Sequence, residues 1–263
     1  MIITIFSEDE FAKRSIIALN LAAHCAQSQR RVLLADATSL QYALGWNTRR
    51  RAAGAKQKIT VRGSADLESD LENPASYYRV HYPQTVVDAD GSDARNTNAA
   101  LVVTDVLVIP VHSRQDCNRQ ALIERIEAAR LFNPALRILV VEVQSISAFG
   151  AGANTETSPA QALAKEILTA TLAETVVHEW IDDRRIFDRG LSAFEASPRN
   201  ERAIAEIEDL YLEIAQARSQ PVEQAANSLA ILHALQRRTQ EKELCHVGID
   251  VLQPQSGRID SAS

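Results

Sequence analysis

Short, continuous apolar runs alternate with amphipathic stretches along most of the chain, and this alternation predicts the fold. Residues 2–6, 31–35, 85–87, 106–111, 137–143 and 175–179 read as strands. Most carry apolar residues at consecutive positions rather than at every second one, as expected for strands covered on both faces of a parallel sheet. Apolar residues at helical spacing predict helices over 15–28, 116–132, 159–173 and 199–218. Pro134 and Pro159 fall at helix boundaries, where a residue without an amide donor is tolerated. The order of elements predicts an α/β fold, a doubly wound and mostly parallel sheet flanked by helices with right-handed crossovers. Residues 1–220 are expected to form that domain. Residues 221–263 add a C-terminal helix over 222–243, with Leu229, Ile231, Leu232 and Leu235 on it, and then a polar tail.

Composition narrows the class. A chain of 263 residues, 46% hydrophobic, can bury a substantial core, and at 5% aromatic that core rests on Ala, Leu, Ile and Val. The net charge of −6 argues against a nucleic-acid coat over the whole surface but leaves room for a local basic patch. No apolar run reaches the roughly 18 residues of a membrane span. The N-terminal strand, followed by acids, is unlike a signal peptide. Cys25, Cys117 and Cys245 are far apart and odd in number, which reads as reduced thiols in a cytoplasm. His24-Cys25 and Cys245-His246 have no metal-ligand spacing between them.

The most informative segment is 7–21. A strand runs into a loop and a small-residue helix leaves it, the order in which a phosphate-cradling loop is built. Such a loop needs glycines so that backbone N–H groups can close on the phosphates. The first glycine of this chain is Gly45. Glu8, Asp9 and Glu10 are consecutive acids where a phosphate would sit. A carboxylate about 5 Å from a phosphate charge costs roughly 3 kcal/mol at an effective dielectric near 20.

Five separated blocks, in order, resemble the ParA/MinD family of deviant-Walker P-loop ATPases, the ParA partition branch in particular. Ala18-Leu19-Asn20-Leu21-Ala22 matches the helix after the family's Lys-Gly-Gly-x-Gly-Lys-Thr-Thr motif. Arg31 to Asp36 resembles the second strand with its terminal acid, and Tyr82 to Asp88 the Walker B strand. Asn98 to Val111 continues the match, and Gly190-Leu191-Ser192-Ala193-Phe194-Glu195 resembles a late motif before the last core helix. The resemblance spans about residues 1–217 and implies a P-loop NTPase fold, ATP with Mg²⁺ as cofactor, a homodimer, non-specific DNA as partner and an adaptor protein of the partition or conjugation type.

In that register Asp9 stands for the signature Lys, while Glu10, Phe11 and Lys13 replace the three glycines. Arg14 replaces the phosphate-binding Lys, and Ser15 takes the place of the Mg²⁺-ligating hydroxyl. Asp36 matches a water-positioning acid, and Asp88 the Walker B acid that holds the metal's shell. After them the family's pattern lapses into Thr38-Ser39-Leu40 and Ala89-Asp90-Gly91. Acids at strand ends also arise as helix caps and turn residues. A cradle so rewritten implies that efficient ATP turnover is lost and that no nucleotide cofactor is needed. One form this can take is a salt bridge from Glu8, Asp9 or Glu10 to Lys13 or Arg14, standing in for phosphate.

Basic residues gather at Arg49, Arg50, Arg51, Lys56, Lys58 and Arg62 with no acid among them, a candidate DNA contact or a solvated loop. Arg184, Arg185, Arg189, Arg199 and Arg202 form a second set, diluted by Asp182, Asp183 and Asp188. Three readings stay open: a ParA-like segregation protein of a plasmid or mobile element with a degenerate nucleotide site; a catalytically inert pseudo-ATPase serving as an interaction subunit of a conjugation or secretion assembly; and an unusual active ATPase working through Arg14 and Ser15.

Overall fold

A computed structural model describes residues 1–8, 12–28, 31–55, 59–63, 80–112, 118–146, 157–180 and 183–219. The chain divides into compact units Met1–Val222 and Glu223–Ser263, and the helix expected over 222–243 lies outside the described residues. In the first unit the described elements, in chain order, are β1 (Ile2–Ser7), α1 (Ala12–Gln27), β2 (Val32–Ala37), α2 (Tyr42–Ala52), β3 (Ile59–Arg62), β4 (Gln84–Asp90), α3 (Ala94–Val103), β5 (Val106–His112), α4 (Arg119–Phe132), β6 (Arg137–Ser145), α5 (Pro159–Glu166), β7 (Ala170–Glu179), α6 (Asp183–Asp188) and α7 (Glu201–Ser219). The strands form one seven-stranded sheet in the order β3-β2-β4-β1-β5-β6-β7. Every pairing is parallel, as the apolar runs predict.

Successive residues of the central strand face opposite layers, so each face has its own core. Ile3 and Ile5 pack with Ile17, Leu21, Trp46, Ile207 and Leu210, under α1, α2 and α7. Ile2 and Phe6 pack with Leu101, Leu122, Ile126 and Leu163, under α3, α4 and α5. Chain order reverses around β1, because β2 lies to one side of it and β5 to the other. The crevice beyond the carboxyl end of β1 is therefore where such a sheet offers a ligand site.

Two elements differ from the sequence expectation. The helix predicted over 159–173 ends at Glu166, and Ala170–Glu179 is a long edge strand paired to β6. Its Ala, Leu and Glu content favours helix, and hydrogen bonding to β6 overrides that preference. The basic run is not a single loop: it contains the last turn of α2 and all of β3. Helix α7 also blocks the open edge of β7. Glu213 accepts the Glu174 and Thr175 amides, each at 2.8 Å, and Glu206 accepts the His178 amide at 2.9 Å. Carboxylates occupying those donors deny them to another chain's strand.

One glycine is required by its position. Gly190 has φ +72°, and a Cβ there would lie 2.2 Å from the Arg50 amide nitrogen. The loop after α6 thus presses against the backbone of α2. Nearby, Asn20 of α1 accepts the Ala193 amide at 2.8 Å and Trp46 donates its indole N–H to the Leu191 carbonyl at 3.0 Å. The Ala18–Ala22 and Gly190–Glu195 blocks, distant in sequence, are structural partners.

His24 sits half-buried between α1 and α7, with ring centroids 5.6 Å from Phe194 and 4.7 Å from Tyr211. Its Nδ1 is buried without a hydrogen-bond partner. Burial lowers its pKa, with the Glu208 carboxylate pulling the other way. A depressed folded value means that its stabilising share is intact above about pH 6.5, the unfolded value, and is lost as pH falls through the folded one. Wild type is therefore expected to lose urea-denaturation midpoint between neutral pH and pH 5 faster than His24→Phe; parallel curves for the two proteins would refute this.

Candidate functional site

At the carboxyl ends of β1, β2 and β4 the register sets three acids side by side. Asp36 pairs across from Asp88, Asp88 from Ile5, and Asp90 from Ser7. Asp36 and Asp88 are fully buried, and Asp90 almost so. Buried carboxylates need donors or counter-charges, and each of the three has at least one partner within the chain.

Arg14, on the first turn of α1, is completely buried beneath this row. Its Nε donates to Asp88 Oδ1 at 2.7 Å, one terminal nitrogen reaches Asp90 Oδ2 at 3.4 Å, and the other donates to Ser7 Oγ at 3.2 Å. A further contact, to Ser15 Oγ, is long at 3.5 Å. Asp90 also accepts the Ser92 amide and hydroxyl. Asp88 Oδ2, by contrast, is buried without a hydrogen-bond partner.

Asp36 is a helix cap. Its Oδ2 accepts the Ala43 and Leu44 amides at 2.8 and 3.1 Å, and its Oδ1 accepts the Thr38 amide and hydroxyl at 3.2 and 2.7 Å. Gln41, the residue at the N-cap of α2, has φ 50° and makes no side-chain cap. Asp36 supplies the missing acceptor from the strand below. Burial pushes its pKa up, the Asp88 carboxylate adds to this, and the bonds from Thr38 and Leu44 offset part of it. With its acceptor positions filled by four donors, Asp36 has no lone pair directed at an attacking water.

The charges of the rewritten loop also have internal partners, although not those expected. Glu8 accepts a two-pronged contact from Arg125 of α4, at 2.6 and 3.2 Å, and the same guanidinium lies over the Phe6 ring. Gly91 lies against Glu8, where a Cβ would come within 2.6 Å of the Glu8 carbonyl oxygen. Lys13 pairs with Asp183 at the start of α6, and burial raises that carboxyl's pKa against the lysine's pull. The expected pairing of Glu8 with Lys13 or Arg14 is corrected accordingly, while Asp9, Glu10 and Phe11 lie outside the described residues. Arg125 and Asp183, which complete these bridges, carry no sequence signal of their own. Asp90 was the one partner within reach of sequence reasoning, two residues beyond Asp88 on the same strand face.

Beside the first turn of α1 a cleft of about 360 Å³ is lined by Lys13, Ser15, Tyr42, Trp180, Asp183 and Phe187 among others. Among the described residues no cluster of His, Cys, Asp and Glu has metal-holding geometry. The residues present do not fit Mg²⁺. That ion keeps several waters in a near-ideal octahedron, whereas Arg14 and Asp88 have no solvent exposure and the guanidinium already holds Asp88 Oδ1. A divalent ion about 5 Å from a guanidinium would also meet roughly 7 kcal/mol of repulsion at an effective dielectric near 20.

The basic candidates separate. Arg50 is buried and paired to Glu195 at 2.5 and 2.6 Å, so it is not a DNA contact. Arg49 is half-buried with its guanidinium over the Phe187 ring at 5.0 Å, and Arg51 is exposed. Lys56 and Lys58 lie outside the described residues. Arg184, Arg185 and Arg189, on and just after α6, are exposed, and α6 packs on α2. Among the described residues no helix is long and apolar enough to cross a membrane.

No protein-family profile matches the sequence, and no curated protein matches it. Solved structures do. The cell-division protein MinD of Aquifex aeolicus is 17% identical with a TM-score of 0.54, over 84% of this chain and 99% of that one. A putative plasmid partition protein of Borrelia burgdorferi, solved bound to AMPPNP, is 16% identical with a TM-score of 0.52, over 82% and 98%. Apo McdA of Cyanthece is 14% identical with a TM-score of 0.53, over 82% and 98%. Likeness at these identities establishes a fold: the sheet and its helices are those of a ParA/MinD-type P-loop NTPase.

Proposed function

We propose that this chain, built on the ParA/MinD-type fold, is a partition or segregation protein that works without a nucleotide cycle, by self-association and by contacts to DNA and an adaptor. The observation that carries this reading is that Glu8, Lys13 and Arg14, the described charges of the rewritten loop, are each bonded to a partner in the same chain. A triphosphate entering there would have to break those bridges and would find no glycine-lined nest to replace them. DNA contact is assigned to the exposed arginines of α2 and α6, Arg51, Arg184, Arg185 and Arg189, which supply phosphate contacts without base readout. Homodimer formation and an adaptor partner are part of the proposal as what the resemblance of the sequence blocks to the ParA/MinD family implies.

Thermal unfolding with millimolar Mg-ATP or Mg-ADP tests the first half. A ligand at 100 times its dissociation constant stabilises by about 2.7 kcal/mol, readily seen as a raised midpoint, and no shift is expected. A clear shift would instead support the unusual ATPase. Fluorescence anisotropy with random duplex DNA tests the second half. Binding is expected to weaken steeply with salt, and Arg184→Gln/Arg185→Gln/Arg189→Gln to weaken it about tenfold or more with a shallower salt slope. Unchanged binding by that variant would remove the α6 face from the proposal.

One observation favours an interaction subunit as a second reading. Leu131 and Phe132 at the end of α4 are 52% and 75% exposed. Phe132 also lines a cleft of about 290 Å³ between α3 and α4, with Ala99, Val102, Ala128, Arg95 and Asn98. Exposed apolar surface beside a groove is a common docking feature. If DNA binding is absent while Phe132→Ser abolishes co-purification of a partner, this reading takes over.

A further inference from the structure

Helix α6 has little of its own to hold it in place. It is six residues long, and none of them is fully buried. A helix that short does not persist unaided in water. Its position therefore depends on anchors outside it. Midway along, Phe187 packs against the core, edge-on to Tyr42 at a centroid separation of 6.3 Å and beneath the Arg49 guanidinium. Just beyond its carboxyl end, Gly190 lies against the backbone of α2. At its amino end the anchor is ionic. Asp183 Oδ2 accepts from Lys13 Nζ, on the first turn of α1, and from the Trp180 amide at 3.1 Å. The lysine and aspartate side chains are only 6% and 11% exposed.

We propose that the Lys13–Asp183 pair is a latch that holds α6 to α1 and so presents Arg184, Arg185 and Arg189 as one phosphate-binding face. Lys13 and Asp183 are then positioning residues for DNA. The inference rests on the DNA-binding reading above, which it deepens. Two features support it. First, the pair is enclosed. An exposed ion pair contributes little because either charge can turn to water, whereas parting an enclosed one strands a buried charge. Second, three of the four arginines assigned to DNA follow Asp183 in the chain, the nearest being its immediate neighbour, so a shift of Asp183 moves them with it. Lys13 belongs to the rewritten loop, and through it the loop itself, rather than a ligand held there, sets the α6 face.

Lys13→Met/Asp183→Asn tests it, because it removes the pair without changing the net charge and without stranding a buried charge. A change in its DNA affinity therefore reports geometry and not field. Anisotropy with random duplex DNA is expected to show binding about fivefold or more weaker than wild type, with a shallower salt slope because fewer phosphates are met at once. The single variants add a sign. Field alone would weaken binding by Lys13→Met and tighten it for Asp183→Asn, whereas loss of the latch weakens both. Lys13→Arg keeps the pair and is expected to bind as wild type does. Hydrogen exchange is the second readout. The amides of Arg189, Gly190 and Leu191 bond back to the Ile186 and Phe187 carbonyls. In the double variant they are expected to exchange about tenfold faster, while the amides of β1 and β5 keep their protection. A double variant that binds DNA like wild type overturns the proposal, as do single variants that shift in opposite directions. If the single variants do not fold, the double variant decides. A double variant that does not fold shows that the pair supports the whole domain rather than α6, and overturns the proposal too. If wild type binds no duplex DNA, the DNA-binding reading falls and exchange alone decides: faster exchange from Arg189 to Leu191 supports the pair as the anchor of α6, and unchanged exchange overturns it.

Discussion

Arg50→Ala is expected to destabilise the protein by about 3–5 kcal/mol, the cost of leaving one member of a buried ion pair without its partner. Arg50 is 3% exposed and donates through both terminal nitrogens to Glu195, and its guanidinium lies 4.8 Å from the centre of the Trp46 ring. Glu195 in turn accepts the Ser192 amide and hydroxyl, at 3.1 and 2.8 Å. Removing the guanidinium therefore loosens α2, the Gly190–Glu195 loop and the stacking on Trp46 together. Arg50→Lys keeps the charge but not the planar fork, and is expected to fall between alanine and wild type. Burial alone would raise the pKa of Glu195, but the bonds from Arg50 and Ser192 outweigh it and the value is lowered. A lowered folded pKa contributes stability above the unfolded value near 4.3, lost as pH falls through the folded value. Urea midpoints at pH 7 and pH 4 should accordingly differ less in Arg50→Ala than in wild type. A near-wild-type midpoint for Arg50→Ala at pH 7 would show that the pair makes no net contribution to the fold.

The strands were legible because their burial on both faces writes itself as unbroken apolar sequence, and β1, β4, β5 and β6 fall where those runs lie. Helices α2 and α3 were not legible. The last turn of α2 carries Arg49, Arg50 and Arg51, which reads as a solvated run until Trp46 and Glu195 are seen to take Arg50 inside. For the site, the meeting of Asp36 and Asp88 follows from their places at the ends of neighbouring strands, and it is observed in the register. What sequence did not reveal is which charges neutralise which. Glu8 meets Arg125 across 117 positions, Lys13 meets Asp183 across 170 and Arg14 meets Asp88 across 74. Local patterning carries no information at that range, since an ion pair needs only opposite charges brought together by tertiary structure. Hence the loop's loss of glycines was visible, whereas the way its charges are neutralised was not.

Asp36→Ala is the second large effect, and it separates a helix cap from a water-positioning residue. Four donors lose their acceptor: the Ala43 and Leu44 amides at the start of α2, and the Thr38 amide and hydroxyl. A lost cap costs about 1 kcal/mol and each buried donor left unpaired about 1–3 kcal/mol, so a loss of roughly 3 kcal/mol is expected after partial relaxation. Gln41, the residue at the N-cap, makes no side-chain cap that could stand in. The pH dependence has a definite sign. Burial, with the neighbouring Asp88 carboxylate adding to it, raises the folded pKa of Asp36 above its unfolded value near 3.9. As pH falls through that raised value the folded protein takes up a proton before the unfolded chain does, so this group's contribution to stability grows and then levels off. Alanine has no such gain, and the deficit of Asp36→Ala should widen from pH 7 towards pH 4. Urea titrations of both proteins at the two pH values measure it. A residue whose only task is to orient water would leave stability untouched at either pH, so an unchanged midpoint would return Asp36 to that role and weaken the case for a site closed by its own side chains.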